Sequence, residues 1–384
     1  MPLMEEIEAL EKISYKEEIK QFKQDCFRTD RDLYDLILES LKMLWVKKYE
    51  KSEAYRIFEI SKDFEKILFK DPRYRDHFIH QFQVFLSGLP VIDKQYDSIV
   101  DVYSKKFDDQ SEVNIEFSWL LAASYHDNGY LVQKFDKWLD SFFTEFLDIK
   151  QLPVQIDLYH LLITRNFQEY IDKLTSLYSC LNNNSSKKWQ YEGYHKINNH
   201  IRKLFTSKII NERNHGMISS LILLDRIEHS KISAMDPNYK KRLFSSVVLP
   251  AGLSICLHDK GIFTDPEIKP IEFKKDPISF LLIFCDTIQE WGRPIGPDGS
   301  DYELTNPQLS EYYITKDKVS ATITYDKIIT YNTNTGEKTN FDYKADEITS
   351  VLSKLKSSKP KFEITLQSLD KDNEISDFSR TCLR

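Results

Sequence analysis

Four of the nine histidines and two aspartates stand where burial alone gives no reason for a polar group. His126 and Asp127 close the apolar run Leu120-Leu121-Ala122-Ala123-Ser124-Tyr125, with Gly129 just behind. His80 lies within Asp76-His77-Phe78-Ile79-His80-Gln81-Phe82-Gln83-Val84-Phe85, and His215 opens His215-Gly216-Met217-Ile218-Ser219-Ser220-Leu221. His258 ends Ala251-Gly252-Leu253-Ser254-Ile255-Cys256-Leu257, and Asp286 falls inside Phe280-Leu281-Leu282-Ile283-Phe284-Cys285. An ionised carboxylate in an apolar core is costly unless a cation or several donors offset its desolvation. Imidazoles with carboxylates suit zinc, iron, manganese or nickel better than calcium. The residues therefore point to a transition-metal cluster.

Simpler roles compete for each residue. A histidine is favoured at a helix C-terminus by the dipole, His215 and His258 can be ordinary core histidines, and Asp286 can be a salt-bridge partner. His77, three residues before His80, shares its side of the helix and is the alternative ligand. The apolar context around His80 favours His80. Asp259 forms a second His-Asp dipeptide and is read as a helix-terminal surface residue. His160, His195, His200 and His229 fall in polar amphipathic segments and are read as surface residues.

These residues need rigid elements to hold them. Helical spacing of apolar residues recurs over 4–70, 76–87, 93–104, 112–125, 130–148, 189–206, 214–229, 236–247 and 250–258. Thr29-Asp30-Arg31-Asp32 resembles a capping box before one of them. Residues 181–188 read as an exposed polar loop. Asp276-Pro277 offers an N-cap and a first-turn proline for a helix reaching about Glu290, stopped by Gly292, Pro294, Gly296, Pro297 and Gly299. A domain boundary is expected near 300–308. Beyond it Val319–Tyr325, Ile328–Asn332 and Lys361–Leu366 alternate as strands, with a hairpin at Asn334-Thr335-Gly336, a short strand near Thr339–Phe341 and a helix over Tyr343–Leu355.

The ordered set His80, His126-Asp127, His215, His258 and Asp286, at intervals of 46, 89, 43 and 28, resembles the HD-domain superfamily of metal-dependent phosphohydrolases over about residues 71–295. The resemblance implies a mainly α fold: a catalytic HD-type domain over 71–300, an N-terminal helical extension over 1–70 and a small α+β domain over 308–384. It also implies a binuclear centre. His80, His126, Asp127 and Asp286 would hold one ion, and Asp127 would bridge to a second held by His215 and His258. Asp127 and His126 would lie at the catalytic heart, where a metal-bound water attacks phosphorus in a nucleotide or related phosphate ester. The reading requires Asp127 to be buried and close to both Asp286 and His215. Arg293 and Arg213 are the candidate phosphate clamps, and Trp291 a candidate stacking residue. Two departures stand out: no Gly-Tyr-Pro motif is present, and the 89-residue interval must hold inserted helices. A di-iron oxygenase of similar ligand order and a non-catalytic scaffold with a bound metal are the alternatives.

Bulk properties narrow the partners. With 41% hydrophobic and 29% charged residues the chain has the profile of a soluble globular protein. A net charge of -7 gives no strong nucleic-acid signal. The N-terminus lacks a signal-peptide pattern and no apolar run is long enough to span a bilayer, so a cytoplasmic location is expected. Five scattered cysteines without a CxxC pair read as reduced thiols. The C-terminal domain is a candidate surface for homo-oligomers.

Overall fold

The structure, a computed structural model, describes residues 2–28, 32–48, 76–107, 114–134, 167–182, 198–229, 237–289, 307–325, 330–333, 336–369 and 375–383, with a few isolated positions between them. The described chain is mainly helical with a small sheet region. Helices α1 (Pro2–Glu8), α2 (Lys16–Arg28) and α3 (Leu33–Lys48) come first. They are followed by α4 (Phe78–Lys106), α5 (Ile115–Tyr125), α6 (Phe167–Asn182), α7 (Asn199–Ile210) and α8 (His215–His229). Next come α9 (Pro237–Leu243), a π-helical turn over Phe244–Val248, α10 (Leu249–His258), α11 (Lys260–Phe263), the short strand β1 (Ile271–Glu272) and α12 (Pro277–Ile288).

α5, α10 and α12 form the centre. Every residue of α5 and α10 is buried, so neither shows a polar face. α5 starts where the Asn114 side chain accepts from Phe117 N, and α12 where Asp276 accepts from Ser279 N. Both are N-caps that satisfy amides the helix itself leaves unpaired. α4 runs unbroken through the two helical segments expected over 76–87 and 93–104. Packing explains the difference. A Cβ on Gly88 would stand 2.1 Å from Trp119 Cζ2, so the glycine seats the indole of α5, whose Nε1 donates to Phe85 O at 2.9 Å. Of the expected capping box, Thr29, Asp30 and Arg31 lie outside the described residues, while Asp32 Oδ1 accepts from Tyr34 N at 3.0 Å at the start of α3.

The C-terminal part holds β2 (Gln308–Ile314), β3 (Lys318–Tyr325), the hairpin β4 (Thr330–Thr333) and β5 (Gly336–Thr339), then α13 (Asn340–Lys354), β6 (Leu355–Lys356), β7 (Lys361–Leu369) and β8 (Ile375–Leu383). The main sheet has the order β2-β3-β7-β8, with β3 and β7 parallel and both outer pairs antiparallel. β2 and β8 were not expected from alternation.

This sheet is packed directly onto the helices. Phe362 of β7 meets Phe280 and Phe284 of α12 at ring-centroid distances of 4.5 and 4.9 Å. Tyr312 OH donates to Ser87 O of α4 at 2.7 Å, and Gln95 Nε2 donates to Thr315 O and Lys316 O, both at 3.1 Å. β6 pairs in parallel with β1, tying the end of α13 to the loop before α12. α12 is thus covered on both sides, which is why its sequence is apolar nearly all round. Among the described residues no helix is long and apolar enough to cross a membrane.

Candidate metal centre

The six residues singled out from the sequence come together at one point in the helical core. His126 and His258 each end an apolar helix. The last carbonyls of a helix lack intrahelical partners, and each ring folds back onto one of them. His126 Nδ1 bonds Ala123 O at 2.7 Å and His258 Nδ1 bonds Ile255 O at 2.5 Å. Since a carbonyl only accepts, Nδ1 must carry the proton, and Nε2 is left to face the centre. His215 is set in the same way by an acid, its Nδ1 lying 2.8 Å from Asp259 Oδ2. His80 is set by an amide, its Nδ1 bonded to Gln289 Oε1. All four Nε2 atoms converge.

Asp127 is 5% exposed and sits in the middle. Its Oδ1 lies 3.6 Å from His126 Nε2, 3.6 Å from His215 Nε2 and 3.5 Å from His258 Nε2. Its Oδ2 lies 3.7 Å from His80 Nε2 and 2.9 Å from His77 Nδ1. Asp286 Oδ1 stands 2.8 Å from His80 Nε2 and 3.7 Å from His126 Nε2. Ring nitrogens also face one another, His80 with His126 at 3.3 Å and His215 with His258 at 3.1 Å. Donors bound to one transition-metal ion at about 2.0–2.2 Å lie roughly 3–3.5 Å apart. The observed spacings fit that pattern, and the buried His/Asp clusters can hold a metal ion.

His80, His126 and Asp286 group closely on one side, and His126, Asp127 and His258 on the other. His215 joins the second side, its Nε2 3.1 Å from His258 Nε2 and 3.6 Å from Asp127 Oδ1. Asp127 presents one oxygen to each side. His77 turns Nδ1 to Asp127 and contributes to neither grouping, so His80 is the ligand candidate of the pair.

The charges are strongly coupled. Burial works to raise the Asp127 carboxyl, but the His126 charge and hydrogen bonds from His258 and His77 outweigh it and hold the group well below the carboxylate range. Burial likewise opposes ionisation of Asp286, and His126 and His80 again prevail. For His258 burial favours the neutral ring, yet the hydrogen bond and charge of Asp127 push it up to about 9. Asp259 is brought down to about 2, because its bond to His215 overcomes its own burial.

Backbone contacts fix the approach of the segments. Gly129 N donates to Ser219 Oγ at 2.7 Å, joining the turn after Asp127 to α8. A Cβ on Gly129 would lie 2.1 Å from His215 O, so only glycine lets the two ligand segments come this close. Tyr130 is stacked between His77 and His215, at ring-centroid distances of 4.5 and 3.8 Å.

A cavity of about 440 Å³ opens over the cluster. Asp286 reaches it with a side chain 32% exposed, so this carboxylate faces solvent through the cavity instead of being sealed in mid-core as its helix suggested. Lys134, Lys260 and Lys344 line the cavity, together with Tyr130, Phe263, Ile283 and Val351. Arg213 does not line it. That residue occupies the turn before α8 with φ 49°, its carbonyl accepting from Gln133. Arg293 and Trp291 lie outside the described residues, as do His160 and His195. His200 and His229 are exposed.

Reading the sequence missed Asp259, Gln289, Tyr130 and the three lysines. The second His-Asp dipeptide was the one available signal, and the surface role assigned to Asp259 is corrected: its side chain is 11% exposed and orients His215. Comparison with family models, with curated proteins and with solved structures finds no match for this chain.

Proposed function

We propose that this chain is a metal-dependent phosphohydrolase of the HD type, acting on a nucleotide or related phosphate ester. The observation that carries the reading is the uniform tethering of four imidazoles. Each gives Nδ1 to an oxygen and Nε2 to a common centre that already holds two carboxylates. A core histidine that serves only packing has no reason to share this orientation with three others. Bound ions of zinc, iron, manganese or nickel would supply Lewis acidity, acidifying water and offsetting charge on phosphoryl oxygens.

The chain's own residues do the rest. His80, His126, Asp127 and Asp286 would hold one ion, and Asp127, His215 and His258 the other. Asp259 and Gln289 keep His215 and His80 in the tautomer that leaves Nε2 free to ligate. Tyr130 limits the tilt of the His215 ring by stacking on it. Phe263, Ile283 and Val351 form an apolar wall that lowers the local dielectric around the developing charge.

The test is a metal count on protein purified without added metal or chelator, followed by phosphate release from a panel of nucleotides. Two transition-metal ions per chain, and activity abolished in Asp127→Ala, support the reading. Two irons with oxygen consumption and no phosphate release would move the chain to the di-iron oxygenases. A well-folded protein that binds no metal under any condition would leave a scaffold.

A further inference from the structure

The cavity over the metal centre is walled on one side by the C-terminal domain. Lys344, Glu347 and Val351 of α13 all line it. Their spacing of three and four residues places them on one face of that helix. Lys344 is only 8% exposed, an unusual state for a lysine, and its Nζ lies 3.0 Å from Glu347 Oε2. The helix is anchored where it ends. β6 continues directly from it and pairs with β1, and Lys354 Nζ donates to Asp265 O at 3.3 Å. The sheet behind it is fixed to α12 through Phe362, Phe280 and Phe284. A charged face held this firmly over the His/Asp cluster is part of the site's wall.

Two further lysines reach the same space from the helical domain: Lys134, in the helical turn after Gly129, and Lys260, at the start of α11. Three lysines therefore line the same cavity as the ligand cluster. A single phosphate on the metals would engage the cluster and leave the lysines unused. A volume of about 440 Å³ is in the range that holds a nucleotide-sized ligand. Ammonium groups are compact point charges suited to phosphate oxygens.

We propose that the C-terminal domain completes the active site, with Lys344, Lys134 and Lys260 binding the distal phosphates of a substrate that carries two or more phosphates in a chain. This rests on the phosphohydrolase reading above. Lys344 is then a specificity-determining residue contributed by a domain outside the region that resembles the HD family. Glu347 holds its ammonium group near the cavity until the anion arrives.

The experiment compares the binding of inorganic tripolyphosphate and orthophosphate to the full-length manganese-loaded protein by calorimetry, with manganese in excess of the anion. Wild-type protein is expected to favour tripolyphosphate by at least tenfold. Lys344→Met and Lys260→Met should each reduce that ratio by on the order of tenfold, with bound metal unchanged, and Lys344→Arg should restore most of it. A preference retained in both methionine variants, or absent from the wild type, overturns the inference and leaves the phosphohydrolase reading standing. Failure of the metal-loaded wild type to bind either anion, with no phosphate release from any nucleotide, overturns both.

Discussion

Replacing Gly129 by alanine should separate the two halves of the metal centre while leaving each helix intact. The added Cβ would lie 2.1 Å from His215 O, 2.8 Å from His215 C and 2.9 Å from His215 Cα. Ordinary contact begins near 3.4 Å, so the turn after Asp127 and the start of α8 must part by about 1.3 Å. The obstacle is backbone on the first turn of a helix, which cannot rotate aside as a side chain would. His215 Nε2 now lies 3.6 Å from Asp127 Oδ1 and 3.1 Å from His258 Nε2. A displacement of that size is comparable to half a metal–ligand bond, which at about 2 Å tolerates only a few tenths of an ångström. The His215-His258 side should therefore lose its ion, whereas the side built from His80, His126 and Asp286 touches neither Gly129 nor α8 in the contacts described. Overpacking should cost about 1–3 kcal/mol in stability, which a chain of this size can absorb. The assay is metal stoichiometry by elemental analysis, with circular dichroism to confirm the fold. On the proposed binuclear reading, the expected result is a fall from two ions to one. Two ions bound at wild-type affinity in a folded Gly129→Ala protein would refute the reasoning.

Three other perturbations probe different links. Asp259→Asn removes the charge that orients His215 and should weaken binding of the second metal about 10–100-fold, read by competition with a chromogenic chelator. Phe362→Ala removes the ring that locks the sheet to α12 and should cost about 3–5 kcal/mol in urea unfolding, with faster proteolysis of the C-terminal part. Asp276, the N-cap of α12, has its carboxyl pushed up to about 6, chiefly by burial and against the hydrogen bonds from Ser279. A carboxyl whose folded value is raised binds its proton more tightly in the folded state, so this group's contribution is most favourable below about 4 and declines as pH rises to about 6, by about 3 kcal/mol in all. Asp276→Asn cannot ionise and should gain stability relative to wild type over that window; an equal difference at pH 4 and pH 7 would count against the argument.

Much of the centre was legible because its residues violate a rule. A carboxylate at the end of Leu120-Leu121-Ala122-Ala123 or inside Phe280-Leu281-Leu282 is conspicuous against apolar neighbours, and the core does bring these positions together. Residues that obey local rules gave no such signal. Lys344 is an ordinary lysine in an amphipathic helix, and only tertiary packing turns it towards the cavity. Asp259 reads as a helix-terminal acid, a role it also plays, since its Oδ1 accepts from Gly261 N at 2.7 Å while Oδ2 takes His215. The segments expected over 76–87 and 93–104 are one helix, and its Gly88 answers to Trp119, a neighbour distant in sequence. The outer strands β2 and β8 were missed for a related reason. β2 is mostly exposed and lacks strict alternation, and its place is fixed by pairing with β3.

The two halves of the centre are held by different means, and this makes their control separable. Asp127 is 6% exposed in its side chain and fixed from α8, through the Gly129 contact with His215 and the bond to Ser219. Asp286 is 32% exposed and rides on α12, a helix gripped by α10 on one side and by Phe362 of the sheet on the other. The bond from Ser279 Oγ to Ser254 Oγ at 3.1 Å holds α12 to α10 near its start, about two turns from Asp286. The end that carries Asp286 and Gln289 is bonded to His80 and Gln83 of α4, and Phe284 just before it packs on Phe362 of the sheet. A shift of the sheet would therefore reach His80 and Asp286 before it reached His215 and His258. Loosening the sheet with Phe362→Ala should weaken the ion beside Asp286 first, the reverse of the order expected for Gly129→Ala. The same ion lost first in both variants would mean that the centre moves as one body.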